Sequence, residues 1–364
     1  MNENSSVQSV AFDVGVSVTP QTSMDVILNL ITEGTLSQQD VYIRCILLPV
    51  LGFCGLLGNF LNIVILTHHG FRESTNIILV SLSVSDFCFS LTQILRRIRC
   101  VVQMFDFFLG VTVETFLEVY IIPINTLMLV VSLCHVTLIS IERMIAVCFP
   151  FHVARIVRKG RVLVVVLFLY AYPTLMGFPN LFRFTFQWVY VPDVNVTVAM
   201  VRMTQLLTDH FDVILMYGTV VFNNLFSTVT LASILTCSII IVLRLLTSRL
   251  GRARKKVALG TKTKELKAVK MLLAVCLACL IVCIPTAVLD MFVLYINSIQ
   301  DTRPLYHIGQ TVNDVLYQVN ACLNFFIYVT MSSKFAKTYN MLFCHLSFSR
   351  SKAVSTEALY HYTK

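Results

Sequence analysis

The chain has 364 residues, of which 57% are hydrophobic and only 13% charged, with a formal net charge of +9. A soluble domain carries about twice that charged fraction, and the basic residues fall in a few short loops between long apolar segments, so composition argues against both a string of soluble domains and a nucleic-acid-binding surface. The twelve Cys lie mostly within the apolar segments, where Cys behaves as a small hydrophobe, and no zinc spacing, nucleophile elbow, phosphate loop or metalloprotease motif points to an enzyme or a metal centre.

Residues 1–42 form a polar tail with Glu3, Asp13, Asp25, Glu33 and Asp40 and no Lys or Arg. Its short apolar stretch, Val26–Ile31, lacks the length and basic flank of a cleaved signal, so the first membrane helix is expected to act as its own signal. Seven segments then reach the roughly 20 apolar residues that a helix needs to cross the hydrocarbon layer: Ile43–Thr67, Asn76–Leu95, Phe116–Ile141, Val162–Phe182, Ile214–Leu246, Ala268–Ile296 and Ile308–Met331. Within lipid each backbone group must be bonded inside its own segment, so these are helices. The expected fold is an all-α membrane protein, a seven-helix bundle over residues 43–331, with residues 332–364 as a short amphipathic eighth helix and a tail.

The loop charges orient it. Arg155, Arg158, Lys159 and Arg161 follow the third span, and Arg249, Arg252, Arg254, Lys255, Lys256, Lys262, Lys264 and Lys267 follow the fifth. With the N-terminus outside, 21 of the 28 Lys and Arg lie on the cytoplasmic side, the arrangement that membrane insertion favours. The sequons at Asn4 and Asn195 then lie outside, where glycosylation occurs.

Polar residues inside the spans are costly and mark a site. Asp86 lies mid-span in the second helix, with Asn59, Ser132, Asn320 and Asn324 on other helices as candidate partners; a protonated Asp bonded to a hydroxyl is the plainer alternative. Arg143 closes the third span. Asn125 lies 18 residues earlier, about five turns at roughly 3.6 residues each, and Ser132 falls within about 20° of the same face, so one polar stripe runs along this helix. Arg96, Arg97 and Arg99 cluster at the outer end of the second helix, against the charge trend. Arg97 is about 20° off a whole number of turns from Asp86, which points it inward together with Gln93. Asp290 and Asp314 offer opposite charge, and snorkelling or a structural pairing with Asp314 or Asp106 is the alternative.

These residues resemble the rhodopsin-like receptor family along nearly the whole chain. Gly58-Asn59, Leu82 with Asp86, Glu142-Arg143-Met144 followed by Pro150-Phe151, Pro285, and Asn324-Phe325-Phe326-Ile327-Tyr328 resemble its signatures in order, with Phe325 where proline is usual; Phe335 resembles the anchor of the eighth helix. Asn62-Ile63-Val64-Ile65, His69–Ile77, Lys267–Met271 and Met331–Phe335 are similar to gastropod chemosensory receptors, themselves similar to invertebrate neuropeptide receptors. The resemblance implies an extracellular ligand and a heterotrimeric G protein as partners. It implies a coupling site of Glu142, Arg143, Pro150, Phe151, Glu265, Asn324 and Tyr328, in which Arg143 rests on Glu142 and Glu265 and turns to the G protein on activation. The ligand pocket would comprise Gln93, Arg97, Asn125, Asp290, Asp314 and Gln318, with Arg97 reading an anionic group. No cofactor is implied beyond a sodium ion at Asp86, Ser132, Asn320 and Asn324. Cys344, at the end of an interfacial helix, is a candidate for palmitoylation.

The chain also departs from the family. The third-helix Cys that usually tethers the second outer loop is Glu118, and Arg183–Phe211 contains no Cys, so the loop's conformation is left open. Cys45 and Cys100 both fall near the outer face, but nothing in sequence fixes their distance, and a bridge is not expected. Cys283 stands where the sixth-helix Trp is usual, the fourth helix lacks its Trp, and the fifth lacks its proline. Asn125 disfavours a monoamine ligand, and Gln318 excludes an opsin. A channel would need a line of ionisable residues across the membrane, and Asp86 stands alone at mid-depth. A non-signalling decoy would not need the intact Glu142-Arg143.

Overall fold

The computed structural model describes residues 41–71, 73–218, 222, 226–253, 262–297 and 303–344. Among them run seven long helices: α1 (Val41–His68), α2 (Ser74–Val102), α3 (Phe107–Cys148), α4 (Lys159–Phe182), α5 (Phe226–Ala253), α6 (Lys262–Asn297) and α7 (Arg303–Met331). The first six are each long and apolar enough to cross a membrane. The seventh is more polar because one face lines the bundle. It is followed, after a 98° bend, by α8 (Ser333–Tyr339), which continues to Cys344. The bend sets α8 across the bundle axis, so α7 crosses alone. The end of the bundle where α1 starts is the near end below, and the opposite one the far end.

Packing order follows the chain. α1 lies against α2 and α7, and α3 touches α2, α4, α5 and α6, which makes it the central post. The large apolar core fills the far half, with Ile65, Ile78, Leu82, Ile139, Ile234, Leu272, Tyr328 and Phe335 buried together. Leu163, Val164, Leu167, Phe168 and Leu175 of α4 stay exposed, as side chains facing lipid do.

α3 is 42 residues long, against the 26 of Phe116–Ile141. At about 1.5 Å per residue it spans about 63 Å, twice the hydrocarbon layer. Its first turns, residues 107–115, extend the helix beyond the expected span and are mostly Phe, Leu and Val, interrupted by Gly110, Thr112, Glu114 and Thr115. Pro123 supplies no N–H to the ladder, and the helix widens to a π-turn over Leu117–Ile121 just before it. α6 likewise begins at Lys262, earlier than the apolar run that starts at Ala268.

The projecting part of α3 carries the second near-end loop, which is a two-stranded hairpin. β1 (Phe184–Val191) pairs antiparallel with β2 (Val196–Met203), from Phe184 opposite Met203 to Val191 opposite Val196. Asn195 closes the turn at φ 51°, a left-handed position that Asn tolerates well. Val111 of α3 is buried against Val191 and Val198, and the Phe116 and Phe186 rings meet edge to face at 4.7 Å. Hydrogen bonds between α3 and Ala199 complete the attachment, so the loop, which contains no Cys, is held without a disulfide.

A disulfide does form elsewhere. Cys45 and Cys100 are bridged, with Cα atoms 5.6 Å apart, contrary to the sequence expectation. The packing of α1 on α2 brings the two positions together, a tertiary fact that spacing does not carry.

At the far end Ser332 caps α8 by accepting a bond from the Phe335 N–H at 3.3 Å. Phe335 is buried, and its ring meets those of Tyr328 and Phe325. Phe325 also seats on α1: a Cβ at Gly58 would stand 3.0 Å from the Phe325 Cβ. Phe325 thus fills, between α1 and α8, a space that only glycine leaves open.

Candidate functional site

Three polar clusters interrupt the apolar bundle, one at each end and one at mid-depth. The near-end cluster begins in α2, which breaks at Arg96 and Arg97 before resuming at Ile98. Consecutive residues of a regular helix point about 100° apart and do not meet one partner. The break, with Arg97 at ψ 0°, lets both reach Asp314 of α7. Arg97 donates from Nη2 to Asp314 Oδ2 at 2.6 Å. Arg96 donates from Nη1 to Asp314 Oδ1 at 3.1 Å, and Gln93 Nε2 donates to the same oxygen at 3.1 Å. Arg96 also reaches Gln93 Oε1 at 3.3 Å and Asn125 Oδ1 at 3.4 Å. Asn125 is held in turn by Thr92, to whose Oγ1 it donates at 2.8 Å.

The same short stretch of α2 grips two more helices. Arg99 is buried and paired with Glu114 of α3, a carboxylate that sequence reading passed over. Cys100 bridges to α1. Arg44 of α1 donates from Nε to Thr311 of α7 at 3.0 Å. Asp106 does not serve these arginines; it caps α3 by accepting the Leu109 N–H at 3.0 Å.

At mid-depth Asp86 is buried. Its Oδ1 accepts from Ser132 at 2.5 Å and its Oδ2 from Asn324 at 2.7 Å. Asn59 donates to the Gly55 and Ala321 carbonyls instead. Asn320 is buried but makes no bond to Asp86. A carboxylate and a hydroxyl oxygen suit a hard monovalent cation in kind, but Asn324 turns its amide N–H rather than its oxygen to Asp86, and Asn320 does not join them. Among the described residues no three His, Cys, Asp or Glu gather as a metal site. Beside this cluster α6 presents Cys276, Cys279 and Cys283, all buried. Cys276 Sγ lies 3.0 Å from Ser140 Oγ of α3, a close contact that joins the two helices. A second join links α2, α3 and α4: Tyr170 donates to the Ser81 carbonyl at 2.9 Å, and His135 sits 2.7 Å from Ser81 Oγ.

At the far end Arg143 is folded back on its neighbour. It donates from Nε to Glu142 Oε2 at 2.9 Å and from Nη2 to Glu142 Oε1 at 2.5 Å. Thr75 of α2 joins both: its hydroxyl donates to Glu142 Oε1 at 2.6 Å and accepts from Arg143 Nη2 at 2.5 Å. The loop beyond α3 presents Pro150 and Phe151, the latter 95% exposed. Tyr328 is buried, and its hydroxyl meets no partner among the described residues.

The structure therefore brings together Gln93, Arg97, Asn125 and Asp314, and adds Arg96. Gln318 is not with them: it is fully buried one turn deeper, donating to Ser90 Oγ at 3.0 Å and to the Leu51 carbonyl at 3.4 Å, because α1 and α2 close over it. The side chains of Asp290, Glu265 and Cys344 lie outside the described residues, as does Asn4. Asn195 is exposed at the hairpin tip, its Oδ1 accepting from Tyr190 at 2.8 Å, which leaves the amide nitrogen accessible. Thr75 and Glu114 carried no sequence signal, since a Thr and a Glu near helix ends are ordinary; only the placement of Arg143 and Arg99 singles them out.

Comparison with known proteins agrees with this geometry. Residues 58–328 match the sequence model of the family described as 7 transmembrane receptor (rhodopsin family). The chain is also similar to an FMRFamide receptor of Drosophila melanogaster, with 23% identity over 318 residues that cover 86% of this chain and 56% of the relative. The chain thus spans little more than half of that relative's length.

Proposed function

The chain belongs to the rhodopsin family of seven-transmembrane receptors, and from that premise we propose that it binds an extracellular ligand at its near end and activates a heterotrimeric G protein at its far end. The charge distribution supports this orientation: the described basic loop, with Arg155, Arg158, Lys159 and Arg161, lies at the far end, and by chain order the basic residues after the fifth span belong to the same side, the cytoplasmic side of the plasma membrane. The observation that carries the reading is Arg143. A half-buried guanidinium at the far end, held by Glu142 and Thr75 at the end of the bundle that also presents an exposed Phe151, is a group kept from a partner and releasable to it. Arginine suits that role because it stays charged and presents a rigid fork of donors. Activation is then a shift of population from this closed state to one in which Arg143 faces the G protein.

The similarity to an FMRFamide receptor supports a peptide as the ligand. The likeness of residues 69–77, 267–271 and 331–335 to gastropod chemosensory receptors supports a second reading, a sensory receptor. Expression confined to sensory epithelium favours the second, and expression in central ganglia the first. The coupling itself is tested by Arg143→Ala in cells carrying a promiscuous G protein and challenged with a peptide library. Surface expression and ligand binding are expected to persist while G-protein activation is lost. Full signalling by the variant overturns the assignment.

A further inference from the structure

We infer that the near-end cluster is an ionic latch between α2 and α7, and that an anionic group, a carboxylate above all, opens it by taking the place of Asp314 between Arg96 and Arg97. The inference rests on the receptor reading only for the source of the anion, the ligand. The latch itself rests on geometry.

Two guanidinium groups share one carboxylate, so Arg96, Arg97 and Asp314 together carry one net positive charge. The side chains of Arg97 and Asp314 are only 10% and 17% exposed, where an uncompensated charge is expensive. The other groups facing Arg96, the Gln93 and Asn125 side-chain oxygens, are neutral. Arg97 also has an Nε that is buried and meets no partner among the described residues, although its Nη2 is engaged. A bidentate carboxylate takes Nε and Nη2 together. Asp314 engages Arg97 through one oxygen alone, because its other oxygen is held by Arg96 and Gln93. Among the described residues the cluster is thus one anion short and one donor underused, and a second carboxylate bonds Arg97 better than Asp314 does.

The consequence reaches the rest of the bundle through α7. Among the described side chains of this cluster, Asp314 is the one that α7 contributes. Ten residues further along the same helix, Asn324 holds Asp86. The other near-end ties of α2 run to α1 through Cys100 and to α3 through Arg99. These, a disulfide and an ion pair, keep α2 fixed when Asp314 lets go. Among the bonds described above, α7 keeps at this end the single Arg44–Thr311 hydrogen bond, so the helix that moves is α7.

The test uses the full-length receptor in lipid nanodiscs, with glutarate as the probe and glutaramide as its neutral counterpart. Labels are introduced as non-canonical residues at Val101 and Ile308, which are both exposed, and report the distance between the near ends of α2 and α7. Glutarate is expected to lengthen that distance and glutaramide to leave it unchanged. Asp314→Asn removes the internal competitor. It is expected to start from the longer distance and to bind glutarate about tenfold more tightly than the natural chain, within the ordinary range of coupling between sites. Arg97→Gln should lose the glutarate response. If that variant does not fold, Arg97→Lys keeps the charge without the fork and should fold with weakened glutarate binding. Equal glutarate affinity in the natural chain and Asp314→Asn, or equal responses to glutarate and glutaramide, overturns the latch. G-protein nucleotide exchange is measured on the same samples. A latch that opens with no exchange in any variant refutes the coupling assigned to Arg143 and leaves the latch standing.

Discussion

Thr115 of α3 donates its hydroxyl hydrogen to the carbonyl of Ala199 in β2 at 2.9 Å, and the Ala199 N–H returns a bond to Thr112 Oγ1 at 3.3 Å. Two side chains one turn apart on the same helix thus satisfy both polar groups of one hairpin residue. A buried hydrogen bond contributes about 1 kcal/mol net. Thr115→Val is therefore expected to raise amide exchange in Val196–Met203 about fivefold by local opening, with the α3 core unchanged. Exchange no faster than in the natural chain would show that the buried Val111, Val191 and Val198 hold the hairpin alone.

The bridge between Cys45 and Cys100 closes a loop of 55 residues. A disulfide of that span typically contributes about 2–4 kcal/mol. The paired change Cys45→Ser with Cys100→Ser is expected to lower the unfolding temperature of the purified receptor by several degrees. Either single change should do the same, because one thiol alone makes no bridge. An unfolding temperature equal to that of the natural chain would refute a stabilising role.

The seven spans and their order were legible because burial in lipid writes them directly into composition. Asp86 was expected among Asn59, Ser132, Asn320 and Asn324; Ser132 and Asn324 meet it, whereas Asn59 bonds backbone carbonyls and Asn320 makes no bond to it. Periodicity does not say which helices touch at their ends. That is why Cys45 and Cys100 were left apart, and why Glu114 and Thr75 went unnoticed. Periodicity also treats every helix as regular. The break at Arg96 and Arg97 brings a second arginine to Asp314, and no turn-counting from Asp86 anticipates it. Gln318 erred the other way: its position along α7 matched a pocket, but α1 packs across it. The hairpin was not legible because its attachment lies on turns of α3 that precede the expected span, and spacing does not say that a loop packs there.

Asp86 and Ser132 offer oxygens to a sodium ion, which would displace the amide N–H that Asn324 points at the carboxylate, and a cation there would offset the buried charge and favour the closed bundle. Agonist affinity is expected to be lower in sodium than in a large organic cation, and Asp86→Asn should remove the difference. The same affinity in both salts for the natural chain would leave the cluster as a purely protein network.

His69, in the turn after α1, lies 2.8 Å from Thr338 Oγ1 of α8. Burial, and then the positive charges of Lys334 and His68, push its imidazole below the ordinary value of 6.5. The unfolded chain therefore binds a proton at a higher pH than the folded one, and stability falls as pH drops through 6.5 toward the folded value. The docking of α8 on this turn should weaken with acid. His69→Gln keeps a polar side chain and cannot charge. Its unfolding temperature should fall less between pH 7.5 and pH 5.5 than that of the natural chain, and an equal fall in both would remove His69 as the source.

Thr75 supplies the strongest test of the closed state, because it touches Arg143 without belonging to the Glu142-Arg143 pair. Its hydroxyl accepts from Arg143 and donates to Glu142, so it fastens both to α2. Thr75→Val keeps the shape and the packing but removes both bonds. Hydrogen bonds to charged groups contribute about 1.5–3 kcal/mol each, and part of that loss falls on the closed state alone. A shift of about 1.4 kcal/mol is tenfold in an equilibrium. Basal nucleotide exchange by a G protein mixed with purified Thr75→Val receptor is therefore expected to rise several-fold without ligand, whereas Arg143→Ala should abolish exchange. The opposite signs matter. A Thr75 that served only to fold the receptor would lower surface expression and exchange together. Basal exchange per surface receptor that is unchanged or reduced in Thr75→Val would mean that the contact does not hold Arg143 back.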